Sequence, residues 1–236
     1  MKQLIKVSAS DFKLIFRDPS LRVFLFLPAL IYLLVNLFLP WLVDRYEGVV
    51  EYVPYVLIVA TIENTQMFGF IYSMVLIDEK ESEVSKVYGV LPVSKPAFAL
   101  SRLLIPCLLT ILLTWLLLII QPFYTLPLMP ALLFSVLAGL IVPVYALGIS
   151  IFSKNKMEGM VWIKVFNIAV VIPVIAFFLP QPLNLLFTVF PTHWAFQGLS
   201  HLIEESTYAW QMLIGFAYFI ILLMLSVRRF TKVHYS

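Results

Sequence analysis

Six apolar stretches, each about 20 residues long or slightly longer, run through this 236-residue sequence. They span about Val23 to Val43, Tyr52 to Ile77, Phe98 to Ile120, Ala131 to Phe152, Met160 to Leu179 and Ala209 to Val227. A helix rises about 1.5 Å per residue, so about 20 such residues match the hydrocarbon thickness of a bilayer. Of all residues, 62% are hydrophobic and 12% charged, against about 45–50% and about 25% in a soluble domain. One globular core cannot hide that excess, and the expected architecture is an all-α integral membrane protein. Pro28, Pro54, Pro106, Pro143 and Pro173 lie inside the stretches. In a bundle they kink helices, because neighbours and hydroxyls satisfy the carbonyls they leave without a donor. Met1 to Arg22 carries too many charges before its first apolar run to read as a cleaved signal. The single cysteine, Cys107, lies in an apolar run and reads as a small buried hydrophobe.

Charge sets the orientation. Placing alternate connections on alternate sides puts 15 of the 16 basic residues on one face, with only Arg45 on the other, beside Asp44, Glu47 and Glu51. The positive-inside rule makes the basic face cytoplasmic, with both termini on it. The expected location is the cell membrane.

Three segments outside the stretches carry pattern. In residues 1–18, Leu4, Ile5, Phe12, Ile15 and Phe16 recur at helical spacing among basic residues, which predicts an amphipathic interfacial helix. The connection from Asp78 to Pro92 opens acidic and ends in Gly-x-x-Pro, which predicts a short helix from about Asp78 to Tyr88. Its Val84, Val87, Tyr88 and Leu91 form an apolar edge suited to a partner protein. Residues 180–208 hold two apolar pieces too short to cross, which predicts re-entrant or interfacial helices on the outer side.

Chemistry is sparse. There is no phosphate-binding loop and no dinucleotide fingerprint, and none of His193, His201 and His234 falls in a stretch. No metal site, cofactor or nucleic-acid partner is expected. The informative polar residues are Glu63, Asn64 and Gln66, near the middle of the second stretch. Glu63, Gln66 and Ser73 share a helix face by spacing, and Asn36 adds polarity in the first stretch. A carboxyl at that depth is costly and belongs in a bundle interior, a wet path or a subunit seam. It is also open to a structural role or to proton coupling.

Four stretches together resemble the ATP-binding-cassette export permeases of the type-two class: the helix ending Arg17-Asp18-Pro19, the Gly69-Phe70 to Asp78-Glu79-Lys80-Glu81 exit, the Leu91-Pro92-Val93-Ser94 to Ser101-Arg102 entry, and the 180–208 hairpin. They are similar to bacterial drug-export permeases, including fluoroquinolone-type ones. The resemblance implies a single permease domain over residues 1–236, with six spans, an interfacial N-terminal helix, a cytoplasmic coupling helix and an outer hairpin. It implies a second permease copy or a related chain, and a separate ATPase that holds the ATP and Mg. Docking then falls to Asp78, Glu79, Glu81, Glu83, Val84, Lys86, Val87 and Tyr88, and the pathway or dimer seam to Asn36, Glu63, Asn64, Gln66 and Ser73. Two other classes fit the residues: a proton-coupled secondary transporter using Glu63, and a membrane assembly subunit without a path.

Overall fold

The computed structural model describes residues 12–13, 15–16, 19–84 and 94–234. Every regular element among them is helical. Five helices are long and apolar enough to cross a membrane: α1 (Leu21–Arg45), α3 (Lys95–Ile120), α4 (Leu128–Phe152), α5 (Lys156–Phe178) and α7 (Ala209–His234). Between them lie α2 (Val53–Glu81) and α6 (Pro191–Ile203). With 29 residues α2 is the longest helix, about 43 Å at 1.5 Å per residue. Glu63, Asn64 and Gln66 dilute its apolar character.

Prolines shape the elements much as their chemistry dictates. Pro28 sits in the first turn of Leu27–Leu33, a helical segment that restarts inside α1 after a turn at Leu25–Phe26, and Pro54 in the first turn of α2, where no N–H is needed. Ahead of Pro40, the helix widens into a π segment, Leu34–Phe38, in which the Leu39 N–H reaches the Leu34 carbonyl. At Pro173, α5 tightens into a 3-10 segment, Ile172–Phe178. The Val170 carbonyl, which a proline at 173 cannot serve in that tighter pattern, accepts from the Thr192 hydroxyl at 2.8 Å. Among the described residues, Pro143 is the one that lies deep within an unbroken helix.

The core is an α2–α4 pair wrapped by the other helices. Gly69 makes that pair possible: a Cβ there would lie 2.5 Å from Cδ1 of Tyr145. Small residues at such crossings let helix backbones approach, which is how helices associate without a hydrophobic force between them. The outer faces of α1, α5 and α7 expose large apolar side chains such as Phe26, Leu37, Ile168 and Leu213. A shell of that kind suits lipid, not water.

The predicted short helix does not begin at Asp78: Asp78 to Glu81 form the last turn of α2. Glu and Lys extend a helix as readily as they start one. The chain leaves α2 through Ser82, whose hydroxyl donates to the Asp78 carbonyl at 2.8 Å, and Glu83, whose φ is 61°. Residues 85–93, with Lys86, Val87 and Tyr88, lie outside the described residues. Most of the predicted interfacial helix lies outside them too. Its described part is helical, with Ile15 fully buried and Phe12 against the core. In the 180–208 connection a 3-10 segment, Leu183–Val189, precedes α6. One side of α6 is buried against α7, α4 and α2.

Candidate functional site

At 100° per residue, the polar run of α2 faces several directions. Thr61 and Thr65 satisfy themselves, donating to the Ile58 and Ile62 carbonyls at 2.7 and 2.6 Å. Asn64 is fully buried, and neither polar atom of its side chain has a hydrogen-bond partner among the described residues. Ser73 is buried and donates to the Phe70 carbonyl at 2.7 Å. Gln66 reaches α5, where its Nε2 donates to the Asn167 carbonyl at 3.2 Å, and the Asn167 side chain accepts from the Tyr145 hydroxyl. One polar chain therefore links α2, α5 and α4 within the bundle.

Glu63 alone of this run is exposed. It lines a groove of about 380 Å³ whose other wall is Ile31, Leu34 and Val35 of α1. Tyr52, Tyr55 and Val59 extend the groove toward the start of α2. The Tyr55 ring packs on Phe177 and Phe178 at the end of α5, with centroids 5.1 and 4.9 Å away. The result is a cleft between α1 and α2, with Tyr55 braced from behind by the end of α5. Asn36 does not join it. Its side-chain amide donates to the Tyr32 carbonyl at 3.0 Å and lines a separate groove of about 960 Å³, bordered by Leu109 and Leu113 of α3.

A second cluster ties one end of the bundle together. Arg102, at the start of α3, makes two parallel hydrogen bonds to the Glu79 carboxylate at the end of α2. The side chains are 1% and 10% exposed. The guanidinium lies 5.8 Å over the Phe98 ring. His234, at the end of α7, stands 4.0 Å from the same carboxylate and stacks on Phe230. Lys80 donates to the Ser150 and Ser153 carbonyls at the end of α4, at 3.2 and 2.7 Å. The turn into α5 is fixed by reciprocal caps: Asn155 accepts from the Glu158 N–H and Glu158 from the Lys154 N–H, both at 2.9 Å. Asp78 pairs with Lys156, whose own N–H donates to Glu81 at 3.2 Å. The ends of α2, α4 and α7 thus meet the starts of α3 and α5, and the basic residues of these connections share one end. Glu79 is engaged inside this clamp. Asp78, Glu81, Glu83 and Val84 are exposed at its surface.

A family described as "Fluoroquinolones export permease protein Rv2686c-like" matches residues 11–227. The chain belongs to that family. With its apolar shell, membership makes it a multi-pass membrane protein of the drug-export permease class. No curated protein matches the sequence.

In this export permease, the clamp is the feature that sequence reasoning missed. Arg102 and Lys80 count there as markers of sidedness and as parts of the resemblance, not as partners of Glu79 or of α4, because those partners lie 23 and 70 or more residues away. His234 sits in an otherwise featureless tail. The one local signal is a carboxylate and an arginine flanking the same connection. The Glu63–Asn64–Gln66 run is visible in sequence, but which member faces outward is not.

Proposed function

We propose that this chain is the membrane-spanning subunit of an ATP-driven exporter, moving drug-like or amphiphilic molecules out of the cell. The family match over residues 11–227 carries the reading. In it, α2 is a sixth span, both termini and the clamped end face the cytoplasm, and the segment from Leu183 to Ile203 dips into the outer leaflet. The excess of Lys and Arg at the clamped end supports that orientation in the cell membrane. A separate chain supplies ATP and Mg chemistry. It docks on the connection between α2 and α3, using the exposed Asp78, Glu81, Glu83 and Val84 with Lys86, Val87 and Tyr88.

The Glu79–Arg102 pair then serves transmission, not docking. It fastens the docking connection to α2, α3 and α7, so a push there moves three helices together. The α1–α2 cleft is one wall of the pathway, closed by a second permease copy. Co-purification with an ATPase tests the reading: a Val84→Asp/Tyr88→Asp variant loses the ATPase while keeping wild-type elution. Retention of the ATPase refutes the docking assignment.

A further inference from the structure

Glu63 sits ten residues beyond the start of α2, about 15 Å along the helix at 1.5 Å per residue. It is exposed in a cleft otherwise walled by aliphatic and tyrosine side chains. No basic side chain forms an ion pair with it among the described residues. The clamp at the far end shows how this chain treats a carboxylate it means to keep: Glu79 is covered and held by Arg102. Glu63 has no such neighbour. A carboxylate at membrane depth without an internal partner marks a site for one.

The surroundings indicate the partner's chemistry. Tyr52 is 52% exposed and Tyr55 is braced by Phe177 and Phe178, so tyrosine faces are on offer on the same side as the charge. Aromatic faces and a carboxylate together select an organic cation over an anion. The end of α1 and the connection to α2 add Asp44, Glu47 and Glu51, all exposed, against Arg45 alone, so the field at that end also favours positive charge. The aliphatic wall of Ile31, Leu34 and Val35 suits an apolar body attached to the cation.

We propose that Glu63 is the specificity-determining residue of this cleft and that it recognises the cationic centre of an apolar, ring-bearing organic cation. This deepens the export-permease reading and rests on it for the direction of movement, but binding is measurable without the ATPase.

The test uses the purified full-length chain in phosphatidylcholine nanodiscs. It is titrated with tetraphenylphosphonium and with tetraphenylborate, ions of the same shape and opposite charge. Saturable tetraphenylphosphonium binding is expected, at least tenfold weaker in Glu63→Gln and within about threefold of wild type in Glu63→Asp, with no saturable tetraphenylborate binding. Val59→Lys is a second probe. It places an ammonium one turn before Glu63 and is expected to remove tetraphenylphosphonium binding while leaving the carboxylate present. Equal affinity in wild type and Glu63→Gln overturns the assignment, as does absence of saturable binding in wild type. A Glu63→Gln variant that loses dimer mass by light scattering while keeping cation affinity also overturns it, since Glu63 then meets a second copy. Failure of these outcomes leaves ATPase co-purification intact, so the two readings fail separately.

Discussion

Removal of the Glu79 carboxylate is the most informative perturbation of the bundle. The Arg102 side chain is 1% exposed and depends on that carboxylate for two charge-assisted hydrogen bonds. Glu79→Ala takes from a buried guanidinium the carboxylate that accepts two of its hydrogen bonds, which costs about 3–5 kcal/mol. A chain of 150–250 residues loses about 2–4 °C of melting temperature per kcal/mol, so the expected fall is roughly 6–20 °C. Arg102→Met should cost a comparable amount through the stranded carboxylate. The double change Glu79→Met/Arg102→Met removes both charges and fills much of the space, and it should recover most of the loss. Asp78→Ala is the internal control: its pair with Lys156 is 59% and 45% exposed, so its cost should stay within about 1 kcal/mol. Tryptophan-fluorescence melting of purified protein in one detergent reads all four variants. Single variants that cost no more than Asp78→Ala, or a double variant as damaged as the sum of the singles, refute the claim that this pair holds that end of the bundle together.

Other variants address separate parts of the structure. Gly69→Ala drives a methyl group into the Tyr145 ring and should cost about 1–3 kcal/mol in the same melting assay, whereas Gly48→Ala, with open space around its Cβ, should change little. Asn155→Ala removes the side-chain cap on the Glu158 N–H and should cost about 1 kcal/mol.

Much of the architecture is legible from apolar length alone. The stretches at 23–43, 98–120, 131–152, 160–179 and 209–227 all fall on α1, α3, α4, α5 and α7, because hydropathy and helix rise are local quantities. What fails is the place where two local rules agree on a wrong boundary. Asp78-Glu79-Lys80-Glu81 has the acidic look of a helix start, yet the same residues prolong α2, and only the φ of 61° at Glu83 ends it. The 3-10 end of α5 and its support by Thr192 depend on a hydroxyl 22 residues away. Among site residues, the polarity of Asn36, Glu63 and Gln66 is plain in the sequence. The structure separates them: Asn36 faces the α1–α3 groove, Gln66 reaches α5 and Glu63 faces outward. Facing depends on partners that no single stretch encodes. The Glu79–Arg102–His234 cluster joins three helices and is invisible to any reading confined to one of them.

The proposed depth of Glu63 and the proposed cytoplasmic side of the clamp both rest on α2 crossing the membrane despite its polar centre. Impermeant thiol labelling of intact cells tests it directly, with single cysteines at Gly48 and Ser82 in a Cys107→Ser background. Labelling at position 48, with labelling at position 82 only after the membrane is opened, is the predicted result. Equal labelling of both positions from outside would contradict it.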